Sequence, residues 1–124
     1  MNIIGNIAFA IKEQSDVAVM SEMPITDGIK NPFGVVHAGA ILWFADVTAT
    51  VLVMGKKQAH EGMQGFPLAI NLNANLASNQ KEGCLYAKSE FVKHGKTVSI
   101  VRTTVIGAGD KLIADVTTSH VLSK

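Results

Sequence analysis

The sequence has little cysteine and little net charge, and each absence narrows the class of protein that it can encode. Cys84 is the one cysteine among 124 residues, so an intrachain disulfide framework cannot form and no cysteine cluster has metal-ligand spacing. Lys and Arg number 11 against 10 Asp and Glu, which leaves no basic field to attract nucleic acid or a membrane surface. We therefore expect a cytoplasmic protein with a small-molecule or protein partner, and with no metal.

Long hydrophobic runs and targeting segments are also absent. The N-terminus lacks the basic region, apolar core and small-residue cleavage site of a secretory signal. The apolar stretch from Ala40 to Met54 is shorter than a membrane span requires and contains Asp46 near its middle, so it is predicted to be a buried helix. No repeat, low-complexity tract or linker divides the chain, and residues 1–124 are expected to form one domain.

Hydrophobic spacing predicts two helices and five strands. Apolar residues at helical spacing indicate a short N-terminal helix within Ile3–Lys12, and Gly39–Met54 is the long helix, which Gly55 ends. The remaining apolar runs are predicted strands, namely Val17–Ile25, Leu68–Ala77, Leu85–Lys93, Thr97–Ile106 and Leu112–Leu122.

The order of these elements predicts an α+β fold. Hairpin-length links at His94–Lys96 and Gly107–Asp110 join the last three strands, which indicates a single antiparallel sheet covering the long helix. Because that helix is apolar on almost every side, the sheet must curl around it or a second subunit must cover it. Strict alternation in Leu68–Ala77 predicts one apolar strand face, formed by Leu68, Ile70, Leu72, Ala74 and Leu76.

Asp46 is the least expected residue of the long helix. It follows Trp43-Phe44-Ala45, and a carboxylate in such surroundings is a poor helix former and costly to desolvate. Contact with solvent or with a basic side chain would be the ordinary explanation. Since the helix otherwise carries only Thr48 and Thr50 as polar residues, we favour a functional carboxylate.

Small residues surround the start of the same helix, in Gly34–Ala40. They leave backbone N–H groups open to a ligand at the positive end of the helix dipole, where an oxygen that becomes negative during a reaction would be stabilised. By itself the segment is typical of a glycine-relieved turn into a helix. The presence of Asp46 on the same helix makes it a candidate active site.

These residues resemble the hotdog-fold thioesterases of the phenylacetate-degradation (PaaI) and hydroxybenzoyl-CoA thioesterase type. That family has an Asn, a short gap, Gly-x-x-His-Gly-Gly and an acidic residue nine positions after the His, and the matching positions here are Asn31, Gly34, His37, Gly39 and Asp46. Ala38 replaces the first Gly after the His. The segment Lys93–Thr97 looks like the family's Lys-x-Gly-Lys/Arg hairpin, and Gly109–Ala114 looks like its closing hairpin. The resemblance runs from about Ile3 to Leu122.

The resemblance implies a hotdog fold, in which a five-stranded antiparallel sheet wraps a long helix, and a homodimer that often pairs into a homotetramer. It also implies hydrolysis of an acyl-CoA or aryl-CoA thioester, with coenzyme A as part of the substrate and no other cofactor. Asp46 would be the general base or nucleophile, and backbone N–H groups near Ala38 and Gly39 would polarise the carbonyl. Asn31 would place water or the loop, and His37 would hold the turn.

The resemblance also implies which residues lie near coenzyme A, and the sequence departs from the family at one position. The phosphates or pantetheine would lie near the hairpin residues Lys93, His94, Gly95, Lys96 and Thr97, and Asn71 is a weaker candidate. Some members have a Ser where this sequence has Ala69, so Thr50, one turn beyond Asp46, is the substitute that we expect to hold water.

Helix geometry gives a separate reason to expect an oligomer. Ala38 and Asp46 are eight residues apart on one helix, about 12 Å at 1.5 Å per residue, which is too far to act on one carbonyl carbon. Each site is therefore expected to combine the helix N-terminus of one chain with the carboxylate of another.

Two other functions share the scaffold, a hotdog hydratase and a catalytically silent acyl-CoA-binding protein. The hydratase pattern pairs a catalytic His with an acid in a different local order, which we do not find, and Ala69 is the feature that favours a silent protein. His60 and His120 have no second ligand at metal spacing and are predicted to be surface or packing residues.

Overall fold

A computed structural model describes all residues from Met1 to Lys124 as one long helix and an antiparallel sheet. The helix, α1, spans Ala38–Met54. The strands, in chain order, are β1 (Ala10–Gln14), β2 (Ala18–Pro24), β3 (Pro67–Leu76), β4 (Cys84–His94), β5 (Val98–Ile106) and β6 (Leu112–Leu122). Two single turns of 3-10 helix, at Asp27–Ile29 and Ala108–Asp110, lie in the connections.

The six strands form one sheet in the order β1-β2-β4-β5-β6-β3, with every neighbouring pair antiparallel. The helix contacts β2, β3, β4, β5 and β6, so the sheet curls around it as an apolar helix requires. Gly55 ends α1 with a positive φ of 68°, and its N–H donates to the Val51 carbonyl. The predicted α+β class and the long helix are both observed.

The predicted N-terminal helix is wrong, and a sixth strand takes its place. Residues 1–9 have no regular structure, and Ala10–Gln14 pairs with β2 as strand β1. Ile7 and Phe9, two residues apart, pack against the core, while Ile3 is 82% exposed. The segment is held by sheet pairing and by the hydrogen bond from the Asn6 N–H to the Gly28 carbonyl, so tertiary contacts override its helical spacing.

The predicted apolar face of β3 is interrupted by a bulge. The register against β6 shifts between Ala69 and Asn71, so Ala69 lies opposite His120 and Asn71 opposite Ser119. Because one extra residue reverses the side-chain alternation, Leu68 does not share a face with Leu72. Period-two counting could not reveal this bulge.

The core contains two apolar clusters and a set of buried hydroxyl groups. The larger cluster surrounds Phe44 and Ile41 of α1, and the smaller one joins Ala49 and Leu52 to β2 and β5. Two hydroxyl pairs lie in the interior, Ser21 with Thr48 at 2.7 Å and Ser89 with Thr103 at 2.6 Å. Each pair satisfies groups that would otherwise be costly to bury.

Strand β3 is a long edge strand with exposed apolar side chains. It ends the sheet beside β6 and pairs with no other strand of the chain. Its exposed large side chains are Leu68, Ile70, Leu72 and Leu76. Ten residues of unpaired edge with this composition form a surface that another strand can extend.

The buried pair of Ser21 and Thr48 gives a stability prediction. Thr48→Val removes one hydroxyl and leaves the Ser21 hydroxyl, which is 3% exposed, without its partner. We expect the free energy of unfolding, measured by urea denaturation, to fall by about 1–3 kcal/mol. The double variant Ser21→Ala/Thr48→Val removes both polar groups and should lie closer to the wild type. A single variant no less stable than the double variant would contradict this interpretation.

Candidate active site

At the N-terminus of α1 the Gly39 N–H is satisfied within the chain, whereas the Ala38 N–H is free. His37 is the N-cap, and its Nδ1 accepts a hydrogen bond from the Gly39 N–H at 2.8 Å. The Ala38 N–H makes no hydrogen bond within the chain, and the residue is exposed. Of the two N–H groups predicted to polarise a carbonyl, the Ala38 group is therefore the one that the chain leaves available at the positive end of the helix dipole.

The loop before α1 is built around Asn31. Its Oδ1 accepts hydrogen bonds from the N–H groups of Phe33 at 3.0 Å and Val35 at 3.3 Å, and its own N–H donates to the Val35 carbonyl. Gly34, with a φ of 93°, completes this turn in a conformation that favours glycine. The Asn31 side chain is thus engaged in holding the loop.

Asn79 fixes the same loop from the other side and was missed by the sequence analysis. Its Nδ2 donates to the Val36 carbonyl at 2.8 Å, and its Oδ1 accepts from the Val36 N–H at 3.2 Å. The side-chain amide thereby pairs with both polar groups of Val36, as a neighbouring strand would. A lone Asn in a polar loop gives no sequence signal for such a contact.

Asp46 lies in the middle of α1 and is partly buried. Its Oδ1 is buried and has no hydrogen-bond partner. Burial raises the pKa of the Asp46 carboxyl above its ordinary value, and the positive charge of a protonated His120 opposes that rise. A carboxylate with an unused oxygen and an increased proton affinity is suited to accept a proton.

His120 is the titratable neighbour of Asp46, and it is not a surface residue. It lies on β6, is 1% exposed, and its Nε2 is 2.8 Å from the Thr118 hydroxyl. Burial lowers the pKa of the His120 imidazole, while the Pro67 carbonyl and the Asp46 carboxylate act in the opposite direction. Of the two expected locations, surface or packing, the packing location is observed, and no sequence pattern indicates that β6 contacts the helix that contains Asp46.

The hairpin Lys93–Thr97, predicted to contact coenzyme A, lies at the opposite end of the sheet from the helix N-terminus. His94 ends β4 and β5 begins at Val98, so Gly95, Lys96 and Thr97 form the turn, and Ser99 pairs with His120 on β6. Gly95 is required because a Cβ there would come within 2.2 Å of the Val98 carbonyl oxygen.

One chain does not bring its predicted site residues together. The loop that contains Ser78 and Asn79 fixes the helix N-terminus. This loop is next to the start of β6, because the Ser78 N–H donates to the Ile113 carbonyl. His120 follows Ile113 by seven positions along β6, which is about 23 Å. The helix N-terminus and the hairpin Lys93–Thr97 therefore lie at the two ends of the molecule, with Asp46 between them.

The other predicted residues are placed as follows. Thr50 is partly buried on α1 and makes no side-chain hydrogen bond, and Asn71 is exposed on the edge strand β3. Lys93, His94, Lys96 and Thr97 are exposed. No group of three or more His, Cys, Asp or Glu side chains is arranged to hold a metal ion. The helix α1 is not long and apolar enough to cross a membrane.

Comparison with known proteins identifies the fold. No protein-family model matches the chain, and no curated protein matches it. Among solved structures, a variant of the thioesterase SAV0944 from Staphylococcus aureus subsp. aureus Mu50 is similar with a TM-score of 0.86 and 24% identity, over 94% of this chain and 93% of that one.

Two further similar structures contain a ligand. Smu.793 from Streptococcus mutans UA159, bound to acetyl CoA, has a TM-score of 0.82 and 18% identity over 99% of this chain and 93% of that one. A hypothetical thioesterase protein from Streptococcus pneumoniae TIGR4 with coenzyme A has a TM-score of 0.81 and 15% identity, over 94% of this chain and 86% of that one. The chain therefore has the fold of the hotdog thioesterases, and the fold expected from the sequence is confirmed.

The contact of Asn79 with Val36 gives a local stability prediction. Asn79→Ala removes both hydrogen bonds to Val36, so the loop before α1 should open more often. We expect the Val36 amide to exchange with solvent roughly tenfold faster, as a loss of about 1.4 kcal/mol of local stability produces. Ser78→Ala is the control, because it removes one hydrogen bond to Leu112 from the same loop and leaves Val36 unchanged. Equal exchange rates of the Val36 amide in the two variants would contradict the proposed role of Asn79.

Proposed function

We propose that the protein hydrolyses an acyl-CoA thioester to a free acid and coenzyme A. The observation that carries the proposal is the buried, unpartnered oxygen of Asp46 on an otherwise apolar helix, whose carboxyl has a raised pKa. The fold supports it, because similar structures include a named thioesterase and proteins with coenzyme A or acetyl CoA bound.

In the proposed reaction Asp46 acts as a general base. It takes a proton from water while the water oxygen attacks the thioester carbonyl carbon, and the carbonyl oxygen becomes negative. The Ala38 N–H of a second subunit stabilises that oxygen. The C–S bond then breaks, and the proton held by Asp46 passes to the coenzyme A sulfur. The raised proton affinity of Asp46 favours this base role over a nucleophilic role.

A dimer formed through β3 would complete each site. Antiparallel pairing of two β3 edges about a two-fold axis reverses one subunit relative to the other. The helix N-terminus of one subunit then lies beside the Asp46 and hairpin end of its partner. The same pairing covers the exposed apolar side chains of β3 and its unpaired backbone groups.

The hairpin Lys93–Thr97 is proposed to contact coenzyme A in that dimer. Lys93 and Lys96 are exposed and carry positive charge toward the end of the sheet at which His94 pairs with Ser99. Phosphate groups of coenzyme A would be attracted to these two lysines. Asn71, exposed on β3, is placed at the subunit boundary of the same arrangement.

Asp46→Asn is expected to remove thioesterase turnover and leave the fold intact. Asn has nearly the shape of Asp but cannot accept the proton of water, so thiol release should fall by about two orders of magnitude or more. Because the variant also removes a desolvated carboxylate, the melting temperature should stay the same or rise. The measurement is thiol release across aromatic, short-chain and medium-chain acyl-CoAs.

Asp16→Asn is the matched control for that experiment, because Asp16 is exposed. If Asp46→Asn keeps near wild-type turnover on a substrate that the wild type hydrolyses, Asp46 is structural and the mechanism is wrong. Binding of coenzyme A by the wild type without thiol release from any acyl-CoA would identify a silent binding protein instead.

The shared site predicts that the active protein is a dimer or larger assembly. Sedimentation at micromolar concentration should show no monomer. Ile70→Lys places a charge on the exposed edge of β3 and should give a monomer without thioesterase activity. Val92→Lys is the control. Val92 and Ile70 each lie at a strand bulge, and they are 62% and 58% exposed, but the strand of Val92 lies within the sheet and not at its edge. A folded, active monomer would overturn the shared-site proposal.

A mixture of two inactive variants tests the same proposal without disrupting assembly. Gly39→Val places a side chain at the helix N-terminus, where a Cβ already comes within 3.1 Å of His37 Nδ1. Refolded together, Gly39→Val and Asp46→Asn chains form mixed dimers in which one site has both functional halves. Thiol release by the mixture should exceed that of either variant alone, and no recovery would count against a shared site.

A further inference from the structure

The lysine side chains of the chain fall into two groups. Lys12, Lys30 and Lys88 form ion pairs with acidic side chains, and Lys111 donates a hydrogen bond to the Asn79 carbonyl. The lysines without an ion pair or a hydrogen bond within the chain are Lys56, Lys57, Lys81, Lys93, Lys96 and Lys124. All of these except Lys81 lie at the end of the sheet that contains the hairpin Lys93–Thr97.

Backbone pairing places Lys57 close to that hairpin. Near the end of β6, Val121 lies opposite Val98, the residue that follows the hairpin. Beyond β6, the Ser123 carbonyl accepts a hydrogen bond from the Gly65 N–H at 2.9 Å. The Lys57 Nζ lies 3.1 Å from the position that a Cβ on Gly65 would occupy. The Lys57 ammonium group is therefore beside the end of β6, which is next to the hairpin.

Capping of the helix by hydrogen bonds does not occupy Lys56 and Lys57. Cations that follow a helix often interact with its last carbonyl groups. Here Gln14 Nε2 donates to the Gly55 carbonyl at 3.0 Å, and neither lysine donates a hydrogen bond within the chain. Both lysines are exposed. Their ammonium groups are thus available to a ligand.

This end of the molecule has a local excess of positive charge. The five unpaired lysines there are accompanied by two acidic residues in the adjoining turns and loops, Asp16 and Glu61. The whole chain has a net charge of only +1, so the excess is a property of this end and not of the composition. Clustered cations of this kind attract an anion with several charges.

The position of these lysines relative to Asp46 fits a long substrate. From Asp46 to the last residue of α1, Met54, the helix rises about 12 Å over eight residues, and Lys56 follows two positions later. In an acyl-CoA, the pantetheine arm separates the thioester from the phosphate groups by a long flexible chain. A thioester at Asp46 can therefore extend its phosphates to the end of the helix where the lysines lie.

We propose that Lys56 and Lys57, together with the hairpin lysines, bind the phosphate groups of coenzyme A and so select coenzyme A thioesters over pantetheine thioesters that lack these phosphates. The proposal rests on the proposed thioesterase function, whose substrate class it narrows. Lys56 and Lys57 contact no reacting atom. They bind the substrate and the transition state equally, so their loss raises KM and leaves kcat unchanged.

The first test compares two thioesters that carry the same acyl group, one on coenzyme A and one on pantetheine. In Lys56→Gln/Lys57→Gln we expect KM for the acyl-CoA to rise about fivefold or more, because two charges that attract the phosphates are lost. KM for the acyl-pantetheine should equal that of the wild type, and kcat should be unchanged for both. Equal changes in KM for the two thioesters, or an unchanged KM for the acyl-CoA, overturn the proposal.

Two further variants are the controls for that experiment. Lys56→Arg/Lys57→Arg keeps both positive charges and should keep KM for the acyl-CoA within about twofold of the wild type. Lys81→Gln removes an exposed, unpaired lysine at the other end of the molecule and should change neither KM. The melting temperature of each variant reports any loss of helix stability, which would not distinguish one thioester from the other.

The second test requires no turnover. Calorimetry measures the binding of coenzyme A to the wild type and to Lys56→Gln/Lys57→Gln at several salt concentrations. The dissociation constant should be about fivefold higher in the variant at low salt, and the two proteins should become more alike as salt screens the lysines. An identical dissociation constant at low salt overturns the proposal.

The outcomes distinguish the phosphate site from the function on which it rests. Weaker binding of coenzyme A by the double variant, in a protein whose wild type releases no thiol from any acyl-CoA, supports the phosphate site and rejects the thioesterase. Thiol release that depends on Asp46, with a KM for acyl-CoA that does not respond to the loss of both lysines, supports the thioesterase and rejects the phosphate site.

Discussion

The structure depends on covering an apolar helix that carries one carboxylate. A helix with apolar side chains around most of its circumference cannot remain in water, and five strands of the curled sheet contact it. Burial of the helix also desolvates Asp46, which is why the pKa of its carboxyl is raised. The hydrophobic effect that stabilises the fold thus also sets the proton affinity of the proposed base.

Burial of the helix under the sheet also restricts where polar groups can lie. Ser89 pairs with Thr103 on the inner face of the sheet, Ser21 pairs with Thr48 of the helix, and Thr48 also donates to the Phe44 carbonyl. This pairing lets Ser and Thr occupy the interior at little cost. Asp46 and His120 are exceptions to it, because each has one buried side-chain atom without a hydrogen-bond partner.

Much of the fold was predictable because it follows from local patterns. The long helix, the strands from Val17 onward and the last hairpins have strong hydrophobic periodicity, and Asp46 interrupts the helix in a way that a sequence shows directly. The N-terminal strand could not be predicted in this way, since sheet pairing and core contacts of Ile7 and Phe9 decide its conformation. The bulge in β3 follows from its pairing with β6, which period-two counting does not contain. His120 and Asn79 were missed for the same reason: their partners are distant in the sequence, and neither residue belongs to a local motif.

The contact between Asn79 and Val36 has a consequence for how the molecule folds. It joins residues 43 positions apart, across α1 and β3, and the Ser78 beside it bonds to the start of β6. Such non-local contacts form only after the loops between them have closed, which makes them slow relative to helix formation. The helix can therefore form early while its N-terminus still points in varying directions. The Ala38 N–H, which we propose stabilises a negative oxygen, acquires its final orientation only once the loop containing Asn79 is in place, so a partly folded chain with the helix would still lack the proposed reaction centre.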